Sequence, residues 1–130
     1  MDKKHPKHTT VRVGENFAVV RPDRPLLGDT ETDEFSEIVK QLNSEGLSHL
    51  IVDLGAIDYM SSPGLGAMVD AHQRFSKRGA HVLLARVDKR INNLLIITKL
   101  AMLFDMYPSV DAALAAREKL PVVIPPAAEA

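Results

Sequence analysis

Apolar residues in this chain recur in two rhythms, and the places where one gives way to the other mark its elements. Val11 and Val13, then Phe17, Val19 and Val20, are β-branched or aromatic and lie on either side of Gly14-Glu15-Asn16. That pattern predicts a strand, a tight turn and a second strand. Arg21-Pro22-Asp23-Arg24-Pro25 interrupts it. Phe35, Ile38, Val39 and Leu42 then repeat at the spacing of one helical face, with Asp29 or Thr30 placed to cap the helix and Gly46 to end it. Leu47 to Leu54 contains Leu50-Ile51-Val52-Asp53-Leu54, the nearly unbroken apolar run expected of a central strand covered on both faces.

Helical spacing returns behind Ser61-Ser62-Pro63, at Leu65, Met68, Val69, His72 and Phe75, and Gly79 stops that helix just after the cations Lys77 and Arg78. Val82–Ala85 reads as a strand, Asp88 to about Lys99 as a third helix, Leu103–Tyr107 as a short strand and Ser109–Arg117 as a last helix. Two strands followed by repeating helix and strand units predict an α/β domain with a mostly parallel sheet and right-handed crossovers. The expected fold is a single domain over residues 9–118, with a mixed four- or five-stranded sheet and helices mainly on one face. Residues 1–8 read as a flexible polar arm and residues 119–130 as a flexible Pro/Ala-rich tail.

Composition narrows the function more than the fold. At 130 residues the chain fits one domain and is too short for most multidomain enzymes. Sixteen Lys and Arg against seventeen Asp and Glu leave a formal charge of -1, so the excess that drives binding to nucleic acid or anionic lipid is missing. The absence of cysteine removes thiol nucleophiles, disulfides and thiolate metal sites. No apolar run approaches signal-peptide or membrane-spanning length. A soluble, unexported, cytoplasmic protein is expected.

Candidate chemistry concentrates in Tyr59-Met60-Ser61-Ser62-Pro63-Gly64-Leu65-Gly66, which joins a strand end to a helix start, where α/β sheets usually bind ligands. Ser62 before Pro63 follows the ordinary grammar of a helix start, with serine as N-cap and proline at the first helical position. On that reading Ser62 is only a cap. The same geometry also exposes a hydroxyl beside free backbone N–H groups and the positive end of a helix dipole, where a phosphate is stabilised. Gly64 and Gly66, without side chains, would let a partner approach the backbone closely.

These residues resemble a known family. Ser61-Ser62-Pro63-Gly64-Leu65-Gly66, behind Tyr59-Met60 and the strand Leu50–Leu54, is similar to the signature of bacterial anti-sigma factor antagonists, the small members of the STAS domain family, whose usual form is Asp-Ser-Ser/Thr-Gly-Leu-Gly. The likeness continues through Gly79-Ala80-His81-Val82-Leu83-Leu84, Val87-Asp88-Lys89-Arg90-Ile91, Leu103-Phe104 and Ser109-Val110-Asp111-Ala112-Ala113-Leu114. The resemblance implies partner switching. The antagonist binds an anti-sigma factor that is also a serine kinase and so frees a sigma factor; phosphorylation of the motif serine breaks the complex, and a PP2C-type phosphatase restores it. Carried over by position, Ser62 is the phosphoacceptor, and Gly28, Asp29, Ser61, Pro63, Gly64, Leu65 and Gly66 join it in the docking face.

The motif departs from the family at three points. Ser61 stands where the family has aspartate, Pro63 replaces a small hydroxyl residue, and Gly28 falls where an acidic residue is common, with Asp29 beside it. An alternative therefore stands: a STAS adaptor that is never phosphorylated, in a stress-signalling assembly or on the cytoplasmic side of a transporter, which would be the only link to a membrane. A small enzyme using Gly64-Leu65-Gly66 is disfavoured, because the chain has no Walker lysine, dinucleotide fingerprint or nucleophile–base pair. No cofactor, metal or nucleic acid is implied, and the expected state is a monomer or weak homodimer.

Other residues have plainer readings. His72 is expected as a core or boundary histidine, His5 and His8 as arm residues with little claim to a metal, and Asp53 and Asp58 as turn or cap residues rather than a catalytic pair. Ile96 and Ile97 fall off the apolar face of the third helix. They are expected to be buried by the segment after the helix, the other reading being an exposed patch for a partner or a second copy.

Overall fold

A computed structural model describes residues 6–120; the expected tail from Pro121 onward, and the arm as far as His5, lie outside the described residues. The elements in chain order are β1 (Thr9–Val13), β2 (Phe17–Pro22), α1 (Thr30–Ser44), β3 (His49–Asp53), α2 (Ser62–Ser76), β4 (His81–Ala85), α3 (Lys89–Ile97), a 3-10 turn (Ala101–Leu103), β5 (Asp105–Tyr107) and α4 (Val110–Arg117). The five strands lie side by side in sequence order, β1 antiparallel to β2 and the others parallel. The hairpin between β1 and β2 closes through a Gly14 N–H to Phe17 carbonyl bond, and Asn16 takes the left-handed conformation such short loops need (φ 69°).

Sequential order explains where the helices go. Three successive crossovers of one hand place α1, α2 and α3 on one face, while α4, with no strand after it, closes the other. The larger core joins Val20, Leu50, Val52 and Leu84 of the sheet to Phe35 and Val39 of α1, Met68 and Phe75 of α2, and Ile91 and Leu95 of α3. The smaller one sets Val19, Ile51 and Leu83 against Ala113 of α4. All five residues of β3 are buried, as its apolar run predicts.

The second face is also where the fold tolerates polar burial. Phe17, His49 and His81 align across β2, β3 and β4, the two imidazoles stack at 5.5 Å, and the Arg117 guanidinium at the end of α4 lies 4.3 Å from the Phe17 ring. His49 is 1% exposed, and neither ring nitrogen has a hydrogen-bond partner. Burial, reinforced by the nearby His81 and Arg117, lowers its pKa to about 4, so the ring is neutral at pH 7.

Two expectations are corrected here. Leu103 belongs to a 3-10 turn, and the strand is confined to Asp105–Tyr107, because β5 pairs only with Leu83, Leu84 and Ala85. Ile96 and Ile97 are not covered by the described residues beyond α3. They are 55% and 75% exposed, since that segment turns away from them. At the other end of the chain, the Lys7 and His8 N–H groups donate to the Glu34 carboxylate of α1.

Candidate functional site

The site is built where β3 ends and α2 begins. Leu54 to Met60 leads out of the sheet, and Met60 forms a bridge with Leu26 from the β2–α1 connection, while the Ser61 N–H donates to the Leu26 carbonyl at 2.9 Å. This pins the backbone immediately before the helix. Ser61 is extended, and its own carbonyl already accepts from the Leu65 N–H, which makes Ser61 the N-cap and Ser62 the first helical residue. The expected cap is thus off by one position. Pro63 falls at the second helical residue, where a missing N–H costs nothing because none would be bonded within the helix.

That shift takes the capping position away from Ser62. The capping position belongs to Ser61, whose hydroxyl turns to the Leu26 carbonyl at 3.3 Å instead of to the helix N–H groups. No side chain caps the first turn of α2, and no acidic residue lies within it. Ser62 is exposed, and its hydroxyl makes no hydrogen bond among the described residues. Its hydroxyl therefore sits free beside uncapped backbone donors.

The other expected site residues divide into surface and support. Gly28, Asp29, Pro63 and Gly66 are exposed, and Ser61 is half-buried. Gly28 has a positive φ of 97° and packs so closely on Pro63 that a Cβ would lie 3.0 Å from its ring, which brings the β2–α1 loop against the start of α2. Gly66 has open space around it. Gly64 and Leu65 are buried, however: a Cβ on Gly64 would collide with the Leu26 carbonyl oxygen, and the Leu65 side chain, 8% exposed, joins the core. Gly64 is required by internal packing, and these two residues hold up the surface from beneath. Leu27 and Tyr59, 47% and 45% exposed, add apolar area to it.

Glu31 organises this end of the molecule and was not among the residues expected to matter. Its carboxylate accepts from the N–H groups of Leu27 (2.8 Å) and Asp29 (3.2 Å) and from the Thr32 hydroxyl (3.0 Å), and Thr32 in turn accepts from the Gly28 N–H. Burial raises its pKa, but the bonds from Leu27, from its own N–H, from Asp29 and from Thr32 together outweigh burial and hold it at about 2. The available signal was an acid in the first turn of a helix behind a glycine loop, where carboxylates meet unpaired donors.

Behind the site, Asp53 forms a turn by accepting from the Gly55 N–H, as expected, and also takes both arms of Arg86 at 2.9 and 3.0 Å. Arg86 is in the left-handed conformation (φ 55°), with its guanidinium laid over Gly55. Asp58 pairs with Arg90 at 3.3 Å on the surface. His72 is a boundary residue, against Phe104 and 3.3 Å from the Ser76 hydroxyl. A notch of about 80 Å³ lined by His72, Ser76, His81 and Asp105 lies at the N-terminal end of β4, opposite Ser62. No helix among the described residues is long and apolar enough to cross a membrane.

Comparison with known proteins agrees with this geometry. The family model for the STAS domain matches residues 8–113. A Thermotoga maritima protein described as an anti-sigma factor antagonist superposes with a TM-score of 0.76 at 16% identity, over 83% of this chain and 92% of its own. The Bacillus cell fate determinant SpoIIAA in its phosphorylated form gives 0.68 at 13% identity, over 84% and 99%. Murine Solute Carrier 26 family member A9, an anion transporter, gives 0.68 at 15% identity, over 80% of this chain and 18% of the transporter. At these identities the structural likeness is one of fold.

Proposed function

This chain belongs to the STAS domain family, and from that premise we propose that it is an anti-sigma factor antagonist whose docking face surrounds Ser62. It binds an anti-sigma factor that is also a serine kinase and so releases a sigma factor in the cytoplasm. The supporting observation is the free Ser62 hydroxyl at the first residue of an uncapped helix, rimmed by exposed Leu27, Gly28, Tyr59, Pro63 and Gly66. In the switching step Ser62 Oγ attacks the γ-phosphorus of ATP held by the kinase. An O–P ester bond forms, ADP leaves, and the hydroxyl proton passes to a base on the kinase. The product carries about -1.5 to -2 charges at the centre of a mostly uncharged docking face, which breaks the complex. A PP2C-type phosphatase reverses it by hydrolysis.

The test is mass spectrometry after incubation with the kinase and ATP, paired with binding measurements. Phosphate on Ser62, Ser62→Ala binding that ATP no longer weakens, and a loss of at least about tenfold for Ser62→Asp support the reading. No phosphate at Ser62, or equal affinity for all three forms, overturns it.

One observation favours a second reading. Ser61 replaces the family's aspartate and spends its hydroxyl on the Leu26 carbonyl, so no carboxylate stands beside Ser62 within the helix start. A fixed STAS adaptor in a stress-signalling assembly or on a transporter needs only the face and not the modification. Stable binding to such a partner, unaffected by ATP, selects it over the switch.

A further inference from the structure

Buried polar atoms without a partner are not scattered through this protein. Of the seven such side-chain nitrogen and oxygen atoms among the described residues, four sit in one cluster: both ring nitrogens of His49, His81 Nε2 and Arg117 Nε. A concentration of this kind works against stability and asks for a reason. The cluster lies under the last turn of α4, at the N-terminal ends of β2, β3 and β4, where Phe17, His49 and His81 stand in register. That is the end of the sheet opposite Ser62.

The surroundings of His49 hold no compensating acid. Its neighbour on β4 is His81, stacked at 5.5 Å; on β2 it is the uncharged Phe17 ring, and above that ring lies the Arg117 guanidinium of α4. Asp105 shares a notch with His81, but it is on β5, with β4 between it and His49, and Glu118 and Lys119 beyond Arg117 are exposed. A proton on His49 therefore meets a guanidinium and a second imidazole at a buried position. The helix above is lightly bound. Ala113 is the one buried residue of α4, which packs on β3, β4 and β5 through the smaller core. Among the described residues no strand follows α4, so it can leave without breaking a ladder, and α1, α2 and α3 belong to the other core.

We propose that α4 is an acid-released cover: a proton on His49 repels the last turn of the helix, and α4 lifts from β3, β4 and β5 as a unit while the core beneath α1, α2 and α3 stays folded. Release separates the imidazole from the guanidinium, gives its nitrogens water and uncovers the apolar strip Val19, Ile51 and Leu83. The size of the response follows from linkage. His49 takes up its proton at about 4 beneath the helix, against an ordinary 6.5 once released. The closed form thus binds the proton less well, and it loses ground to the open form as the pH falls below 6.5. Between pH 7 and pH 5 the ratio of open to closed rises about twentyfold.

Amide hydrogen exchange of the full chain, read by NMR at pH 7, 6 and 5 and corrected for intrinsic exchange rates, tests the proposal. Ala113 to Arg117 should exchange through an opening at least about tenfold more populated than the one that exposes Phe35, Val39 and Met68. That opening should grow about twentyfold from pH 7 to pH 5. His49→Phe, which keeps an aromatic ring against His81, should leave the opening but remove its pH dependence. Arg117→Gln takes away one repelling cation and should cut the response to less than about tenfold; at a half-buried position, it serves if His49→Phe fails to fold. Exchange of α4 and α1 through one common opening at every pH would mean that no separate release exists, and the proposal fails. It fails equally if the α4 opening ignores pH, or if its response survives His49→Phe or is undiminished in Arg117→Gln.

Discussion

The loops leading into α1 and α2 lie against each other and are held in opposite ways. Neither helix has a side-chain bond at its N-cap. Before α1 the chain closes on itself, with the Glu31 carboxylate and Thr32 hydroxyl reaching back from the first turn to the N–H groups of the loop residues Leu27 and Gly28 and of Asp29. At α2 no first-turn side chain reaches back: Ser61 turns its hydroxyl to the Leu26 carbonyl, and Ser62 faces solvent. An open start is therefore not a default of this sheet end, since its neighbour is closed by its own side chains. The closed start fixes the Leu26–Asp29 loop, and that loop supplies the rim against which the open one is presented.

Variants can break this contrast in order of effect. Gly64→Ala strikes the seam between the two starts, where the new methyl group meets the Leu26 carbonyl, and backbone on both sides resists a shift. A loss of about 3 kcal/mol is expected in urea unfolding, with Gly64→Ser no better. Opening the closed start comes next. Glu31→Gln should cost about 2 kcal/mol at pH 7, because charge-assisted bonds to buried donors are weakened.

Acid sharpens the same comparison. Glu31 titrates at about 2 in the fold against an ordinary 4.5, so its contribution is complete above pH 4.5 and is lost as the pH falls toward 2. Glu31→Gln should flatten the stability curve in that window. It should leave the loss between about pH 6.5 and 4, which comes from His49, a group whose depressed pKa makes the unfolded chain bind the proton first.

Smaller effects test the surface itself. Gly28→Ala forces a side chain into a positive φ and against Pro63, for about 1–2 kcal/mol of destabilisation. Gly66→Ala should do the reverse: with open space around it, alanine stabilises α2 by about 0.5–1 kcal/mol while weakening partner binding measured by titration calorimetry. Unchanged binding would remove Gly66 from the docking face. Ser62→Ala should shift the melting curve by no more than about 0.5 kcal/mol, since the hydroxyl bonds nothing among the described residues. A larger loss would mean that Ser62 is a structural cap after all.

Most of the architecture was legible along the chain because each element carries its own period and its own punctuation. The apolar run Leu50–Leu54 foretold a strand buried on both faces, and Phe35, Val39 and Leu42 the inner face of α1. Asp88 and Ser109, which mark the starts of the third and last helices in the sequence, are the N-caps of α3 and α4. The misread positions depend on distant neighbours. Ser62 was placed one residue too early in the helix because the bridge between Leu26 and Met60, 34 residues apart in the chain, fixes where α2 begins. Ile96 and Ile97 stay exposed because the described segment after α3 does not fold back over them. The partnership of Asp53 with Arg86 spans two strands and leaves no local pattern.

The sequence alone determined the order and type of the elements, the family signature around Ser62 and the absence of thiol chemistry, because periodicity, capping and composition are local or additive. Only the tertiary structure decided which serine caps and which is free, that Gly64 and Leu65 support the surface while Gly28 and Gly66 form it, and that Glu31 holds the loop beside them. Those outcomes depend on which carbonyl or carboxylate lies within hydrogen-bonding distance. Chain folding, not spacing, sets that distance.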